Sequence, residues 1–362
     1  MIPNSRSCRL IWSPTLQRLT LTIALFCCCA APLPAQTPGF TSFDTPHAGT
    51  RANQGTVPVK INASGVIAGY YVDSGYNLHG FVRTAGGAIT EFDATGLSGT
   101  VVSGINRSGQ IVGTGLHATS HGNTVHGFLR FSDGRFILVN APAASETLPA
   151  GVNDGGAVAG WYLDLGNVAH SFLRDAKGNY TVIDDPEAVT GKPNDGTFIT
   201  AIHNSGTVVG FYDDSANAVH GFVLNQFGTY TNFDAPDAGN CASCGTFPLA
   251  INELGEVTGY YRDNSFVEHG FLRDNLGTIT EFTMSDGLAT LPASTNNFEE
   301  TLGQWTNSLH IVRGFTRNAS GDLSSFSVPV RNFGTIPNDI NDSGRITGFY
   351  VDGNGANHGF LQ

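Results

Sequence analysis

At 362 residues, with 46 Gly, 24 Phe, 2 Met and charged residues at only 13%, the chain excludes a disordered tail, a coiled coil and a collagen-like fibre. Its 18 basic residues against 30 acidic ones exclude the basic footprint that nucleic acid requires, so no nucleic-acid partner is expected. Abundant glycine and aromatic residues suit a packed β protein with many tight turns.

Residues 1–35 carry Arg6, Arg9 and Arg18 and no acid, then an apolar run over 19–31, then Pro-Leu-Pro-Ala ending at Ala35. A basic start, a short apolar stretch and a small residue at the break predict a secretory signal peptide over 1–35. The run is short for a membrane span, and no later segment is apolar enough, so the mature chain is expected to have no transmembrane segment. Cys27, Cys28 and Cys29 make a lipoprotein signal the alternative, which the bulky Phe26 opposes. Removing 1–35 takes away three arginines and leaves 15 basic against 30 acidic residues, a net of −15. The expected location is secreted, cell-surface or periplasmic.

Residues 36–362 read as one domain of seven repeats. One mark is His79-Gly80-Phe81, followed by His126-Gly127-Phe128, His170-Ser171-Phe172, His220-Gly221-Phe222, His269-Gly270-Phe271, Arg313-Gly314-Phe315 and His358-Gly359-Phe360. A second mark precedes it: Ile61-Asn62, Ile105-Asn106, Val152-Asn153, Ile251-Asn252 and Ile340-Asn341, with His203 read as an insertion before Asn204 in the fourth copy. Gly-aromatic-Tyr follows, as in Gly69-Tyr70-Tyr71, and the repeat closes on a pair such as Phe92-Asp93, Ile183-Asp184 or Phe233-Asp234. Each unit holds four short alternating runs separated by glycine turns, and none shows helical period. Four strands repeated seven times predict an all-β, seven-bladed β-propeller with four-stranded blades. The Gly69 equivalents are expected to let neighbouring sheets approach, with Tyr71 and Phe81 filling the gaps between them.

The chain ends sharpen this expectation. The last copy stops at Gln362 without a fourth strand, and residues 39–46 match the fourth strand around Phe233-Asp234. The ring is expected to close by the N-terminal strand completing the last blade, which removes the two exposed edges of an open array. A linear solenoid would want distinct caps instead.

The Ile-Asn-x-x-Gly, Gly-x-Tyr and His-Gly-Phe-x-Arg marks together resemble the HAF-repeat extracellular protein family of bacteria, over nearly all of residues 40–362. Gly, once Ser, stands where the family name has Ala, and Arg313 replaces one histidine. The resemblance implies export and repeat architecture and carries over no catalytic residue.

Five units keep an acid six residues before the histidine: Asp73 and His79, Asp164 and His170, Asp214 and His220, Asp263 and His269, Asp352 and His358. An Asp holding a His is half of a hydrolase triad, but five copies read as scaffold, each pair bonding across a hairpin. No cofactor is expected. Turns at 213–217 and 352–355 offer oxygen ligands and leave calcium open, although neither has the closing Glu of a calcium loop. His117, His121 and His126 in the expanded second unit are a chance cluster on the same footing. Asn62, Asn106 and Asn341 begin glycosylation patterns that turn geometry already explains. Cys241 and Cys244 supply half a zinc site and read as a local disulfide.

The sixth unit departs from the others. Glu299 stands at the place of Gly255, Trp305 at that of Tyr261 and Arg313 at that of His269. These three are the candidate binding residues. No nucleophile elbow, phosphate loop or zinc helix appears. The favoured reading is an exported, monomeric binding module for an extracellular glycan, cell-envelope component or protein ligand, and not an enzyme. The alternatives are an exported propeller hydrolase or lyase with an axial active site, and a structural envelope protein.

Overall fold

The computed structural model describes residues 39–362 apart from 120, 121, 190, 194 and 331, so the expected signal segment and His121 lie outside the described residues. The described residues form strands and turns. In the first unit, strand Gly55–Ile61 pairs with Ile67–Val72, then Leu78–Arg83, then Ile89–Phe92, all antiparallel. The same four-strand order recurs along the chain. In the seventh unit, strand Asn357–Leu361 has Thr41–Phe43 as its outer neighbour, with Thr41 opposite Leu361 and Phe43 opposite Gly359. Single parallel pairs such as Val219 with Gly245 and Gly55 with Asn357 join five of these units into one continuous 20-stranded sheet. Two further units stand as separate four-stranded sheets.

The first strands of the units, Gly55–Ile61, Ser98–Ile105, Glu146–Val152, Thr197–Ile202, Gly245–Ile251, Gly287–Thr295 and Gly334–Ile340, neighbour one another in chain order, and the last returns to the first. They therefore surround a common axis. This explains their prolines. Pro58, Pro149, Pro248, Pro292 and Pro337 sit at β-bulges. A missing N–H costs nothing on an inner edge strand at a bulge.

Two repeated bonds hold unit to unit. A threonine near the start of each first strand accepts the N–H of the residue that follows the preceding unit's fourth strand. Thr56 takes Thr45 N, Thr100 takes Ala94 N, Thr197 takes Asp185 N and Thr246 takes Ala235 N, at 2.9–3.0 Å. Near the axis, the turn asparagines bond forward: Asn62 Nδ2 to Asn106 O, Asn106 to Asn153 O, Asn252 to Asn296 O, Asn296 to Asn341 O, and Asn341 back to Asn62 O. His203 makes the same turn as these asparagines, with its N–H bonded to Thr207 O and its carbonyl accepting from Gly206. His203 is therefore the asparagine's replacement. The expectation that it is an insertion is corrected: the aligned residue is His203, and Asn204 is the next turn position.

Between units, Phe81 is fully buried with Ile61, Ile67 and Tyr71, against Phe43 and Leu361 from the chain ends. The glycine role is also corrected. A Cβ on Gly69 would meet Val57 O and Pro58 Cα of the same unit and the Phe81 ring. The glycine admits its own bulged first strand, not a neighbouring sheet.

Candidate functional site

At one end of the units, the second strand turns into the third, and there the Asp and His marks meet. In the turn after Tyr71, the Asp73 carboxylate Oδ1 accepts Gly75 N and Asn77 N, both at 2.8 Å. Asp164, Asp214, Asp263 and Asp352 hold their turns in the same way. The 213–217 and 352–355 turns are thus Asx turns closed on their own backbone. The second oxygen of each of these acids lies 3.5–3.8 Å from the histidine Nε2.

The shorter histidine contact goes elsewhere. His79 Nδ1 meets Asp93 at 2.7 Å, His170 meets Asp184 at 2.9 Å, His220 meets Asp234 at 2.9 Å, and His358 meets Asp44 at 2.8 Å across the chain ends. These second acids are the Phe-Asp mark, fourteen residues beyond the histidine in the first three cases. The mark is visible in the sequence, but its pairing with the histidine is set by strand register and has no local spacing to reveal it. His79, His170, His220 and His358 each lie between two acids, His269 lies between Asp263 and the Thr283 hydroxyl, and each stacks on the preceding tyrosine: Tyr71 on His79, Tyr162 on His170, Tyr212 on His220, Tyr261 on His269 and Tyr350 on His358.

The electrostatics follow from this geometry. Hydrogen bonding to Asp234, against some desolvation, holds the His220 imidazolium above its ordinary range. At His358 burial pulls downward, and the bonds to Asp44 and Asp352 outweigh it. Both folded-state pKa values exceed the unfolded one, so their stabilisation is complete below about 6.5 and is lost as pH rises through the folded values. The melting temperature should fall by a few degrees between about pH 6 and pH 9 from this cause, and His220→Gln combined with His358→Gln should flatten that slope. An equal slope in the double variant would place the dependence in other groups.

The fourth unit has an opening at this end. A cleft of 520 Å³ is lined by Glu187, Val189, Tyr212, Asp214, Ser215, His220, Asn232, Phe233 and Asp234. The 184–189 loop from the third unit forms one wall, and strands Val208–Asp213, Val219–Leu224 and Tyr230–Phe233 form the other. Tyr212 Oη donates to Glu187 Oε2 at 2.9 Å, and burial with that bond raises its pKa, so it stays protonated. Behind the wall, Asp185 is 3% exposed, and its Oδ1 accepts Glu187 N and Asn232 Nδ2. Its other oxygen has no partner among the described residues. Burial raises its pKa. The residues at this step in the other units are Thr45, Ala94, Ala141, Ala235, Met284 and Val328, so a carboxylate here serves no scaffold need.

The sixth-unit residues do not form one site. Trp305 and Arg313 face each other in register at this end, with Trp305 Nε1 donating to Ser325 Oγ at 3.1 Å. Glu299 lies in the turn at the opposite end of strand Thr301–Asn307, about 20 Å away at 3.3 Å per extended residue. There it replaces a glycine at positive φ, 59° against 83° at Gly255. A non-glycine residue in that region costs about 1–2 kcal/mol. Glu299→Gly should therefore stabilise the protein by about 1 kcal/mol in urea unfolding, whereas a loss of stability would mean the side chain has a structural partner.

Cys241 and Cys244 are joined as a disulfide in the loop after the fourth unit, with Cα atoms 5.0 Å apart. The intervening Ser243 donates its N–H to Asn217 O, which ties this loop to the turn that borders the cleft. His117 and His126 rings lie 5.1 Å apart in the second unit, and His126 Nδ1 bonds Asn140. Asn62, Asn106 and Asn341 are buried in their turns and bonded to the next unit.

No family model matches the chain, and no curated protein matches it in sequence. Solved structures do resemble it. A streptogramin B lyase has a TM-score of 0.57 at 14% identity, over 90% of this chain and 98% of that one. The virginiamycin B lyase from Staphylococcus aureus gives 0.55 at 14%, over 89% and 99%. The BP39L lectin from Burkholderia pseudomallei gives 0.53 at 10%, over 84% and 95%. At such identities the likeness is one of fold: all-β and propeller-like.

Proposed function

We propose that this chain is an exported, monomeric seven-bladed β-propeller that binds glycans at its rim, chiefly in the fourth-unit cleft. The strand pairing supports the blade count. Each four-strand set is one blade, and the long continuous sheet arises because single parallel pairs bridge successive blades. Thr41–Phe43 is the outer strand of the seventh blade. Export and kinship with the HAF-repeat proteins rest on the basic and apolar start and on the repeated marks. A lectin and lyases share this architecture, so fold alone does not choose between binding and catalysis.

The cleft itself carries the binding reading. It is an open concavity at the rim, walled by Tyr212, Asn232, Glu187 and Asp214, whose polar atoms suit sugar hydroxyls. A thermal-shift screen of residues 36–362 against bacterial and plant oligosaccharides tests it. One sugar class at about 100 times its dissociation constant should add roughly 2.7 kcal/mol of stability. A flat sugar panel would remove the glycan reading and favour a protein ligand.

A further inference from the structure

We propose that the fourth-unit cleft selects an amino sugar, a hexosamine with a free ammonium group, over neutral or N-acetylated sugars. This rests on the glycan reading of the same cleft. The donors and acceptors around the cleft decide what it can hold. Tyr212 spends its only proton on Glu187 Oε2. Both His220 nitrogens face acids, Nδ1 toward Asp234 and Nε2 toward Asp214. The Val189 N–H is bonded to Asp213 O and the Asp214 N–H to Ala218 O. Asn232 directs its Nδ2 at Asp185 Oδ1, 3.3 Å, and Tyr212 Oη, 3.4 Å.

What remains for a ligand is almost wholly acceptor. Asn232 Oδ1 and Glu187 Oε1 have no partner among the described residues, and the Asp214 and Asp234 carboxylates border the opening. Ser215 adds a hydroxyl that accepts as readily as it donates. The Glu187, Asp214 and Asp234 carboxylates line the cleft with one imidazole, so it is negative even when His220 is protonated. Buried Asp185 accepts the Asn232 Nδ2 and so leaves the Asn232 amide oxygen free of that bond. A ligand that offered acceptors would meet acceptors. An ammonium flanked by hydroxyls satisfies the wall.

In the first unit the equivalent place is closed from within, where His47 replaces Glu187 and binds Glu91, the counterpart of Asn232, at 2.6 Å.

The test is isothermal titration of residues 36–362 at about pH 6 with a glucosamine tetramer, its fully N-acetylated form, spermidine and calcium chloride. The tetramer should bind at least tenfold more tightly than the N-acetylated form and than spermidine or calcium. Glu187→Gln should weaken it about tenfold with the melting temperature unchanged, since Glu187 is an exposed loop residue. Equal or tighter binding of the N-acetylated tetramer would overturn the proposal. So would equal binding of spermidine or calcium, which would mean that the cleft reads charge without sugar. If a neutral glycan from the panel binds and the tetramer does not, the inference fails while the glycan reading stands. If no glycan binds, both fail.

Discussion

Replacing Asp339 with alanine should destabilise the protein by about 3–5 kcal/mol, the cost of breaking a buried charged cluster and stranding its partners. Asp339 lies in the first strand of the seventh unit and is nearly buried. Its carboxylate accepts Ser294 Oγ at 2.6 Å from the sixth unit, Ile61 N at 2.8 Å from the first, and Lys60 Nζ at 3.4 Å. At the same step the first unit carries Lys60, and the others carry Gly104, Gly151, Ala201, Ala250 and Ser294, residues small enough for close packing near the axis. A Lys–Asp pair occurs there only between Lys60 and Asp339, where the end of the ring meets its beginning. The pair acts as a register mark for closure. Asn338 Nδ2, bonded to Pro58 O at 2.6 Å, reinforces it. Asp339→Asn keeps the shape and should lose less than the alanine variant. Denaturant unfolding of the three proteins measures the difference, and a loss below about 1 kcal/mol for alanine would mean the seam is held elsewhere.

Phe222→Ala should cost about as much, roughly 3–5 kcal/mol. Phe222 is fully buried with Ile199, Val208 and Tyr212 of its own unit, and with Ala159 and Ile183 of the preceding unit, so the cavity would open between two units. Tyr212 is part of the cleft wall. The same variant should therefore weaken ligand binding beyond what a distant core cavity does. Phe315→Ala, an equally buried phenylalanine in the sixth unit, is the control for stability alone. Equal binding loss in both would separate the cleft from its packing.

The architecture was legible because its marks repeat and each repeat has one physical reason. The asparagine holds a turn with Oδ1 and the next unit with Nδ2, so it recurs. The glycine of His-Gly-Phe recurs because a Cβ there would strike the fourth-strand ring, Phe92 at Gly80 and Phe282 at Gly270. Ser171 is tolerated where that ring is absent: opposite Ile183, its hydroxyl bonds Thr197 O and Ile199 N of the next unit. The threonine latch has no local signal, although Gly-Thr recurs at the start of the first strands at Thr56, Thr100, Thr197, Thr246 and Thr335, because its partner lies in the neighbouring unit.

The site was less legible, for a related reason. Departures in the sixth unit drew attention as changes of residue type, and they fall at opposite ends of one strand. The informative departure was Asp185, a charge at a step that is otherwise small or apolar. Its position next to Asp184 hid it inside an ordinary-looking acidic pair. The histidine's closer acid was fourteen residues away, and for His358 it was Asp44 at the other end of the chain. Such contacts come from strand pairing and have no local spacing to reveal them.

Native-state hydrogen exchange of residues 36–362 tests the closed ring most directly. The ladder amides of Thr41–Phe43 are expected to be protected as strongly as those of Asn357–Leu361, their partner strand, because both open only with the seventh unit. Exchange of Thr41–Phe43 at the rate of a free terminus, with Asn357–Leu361 protected, would contradict closure by the N-terminal strand.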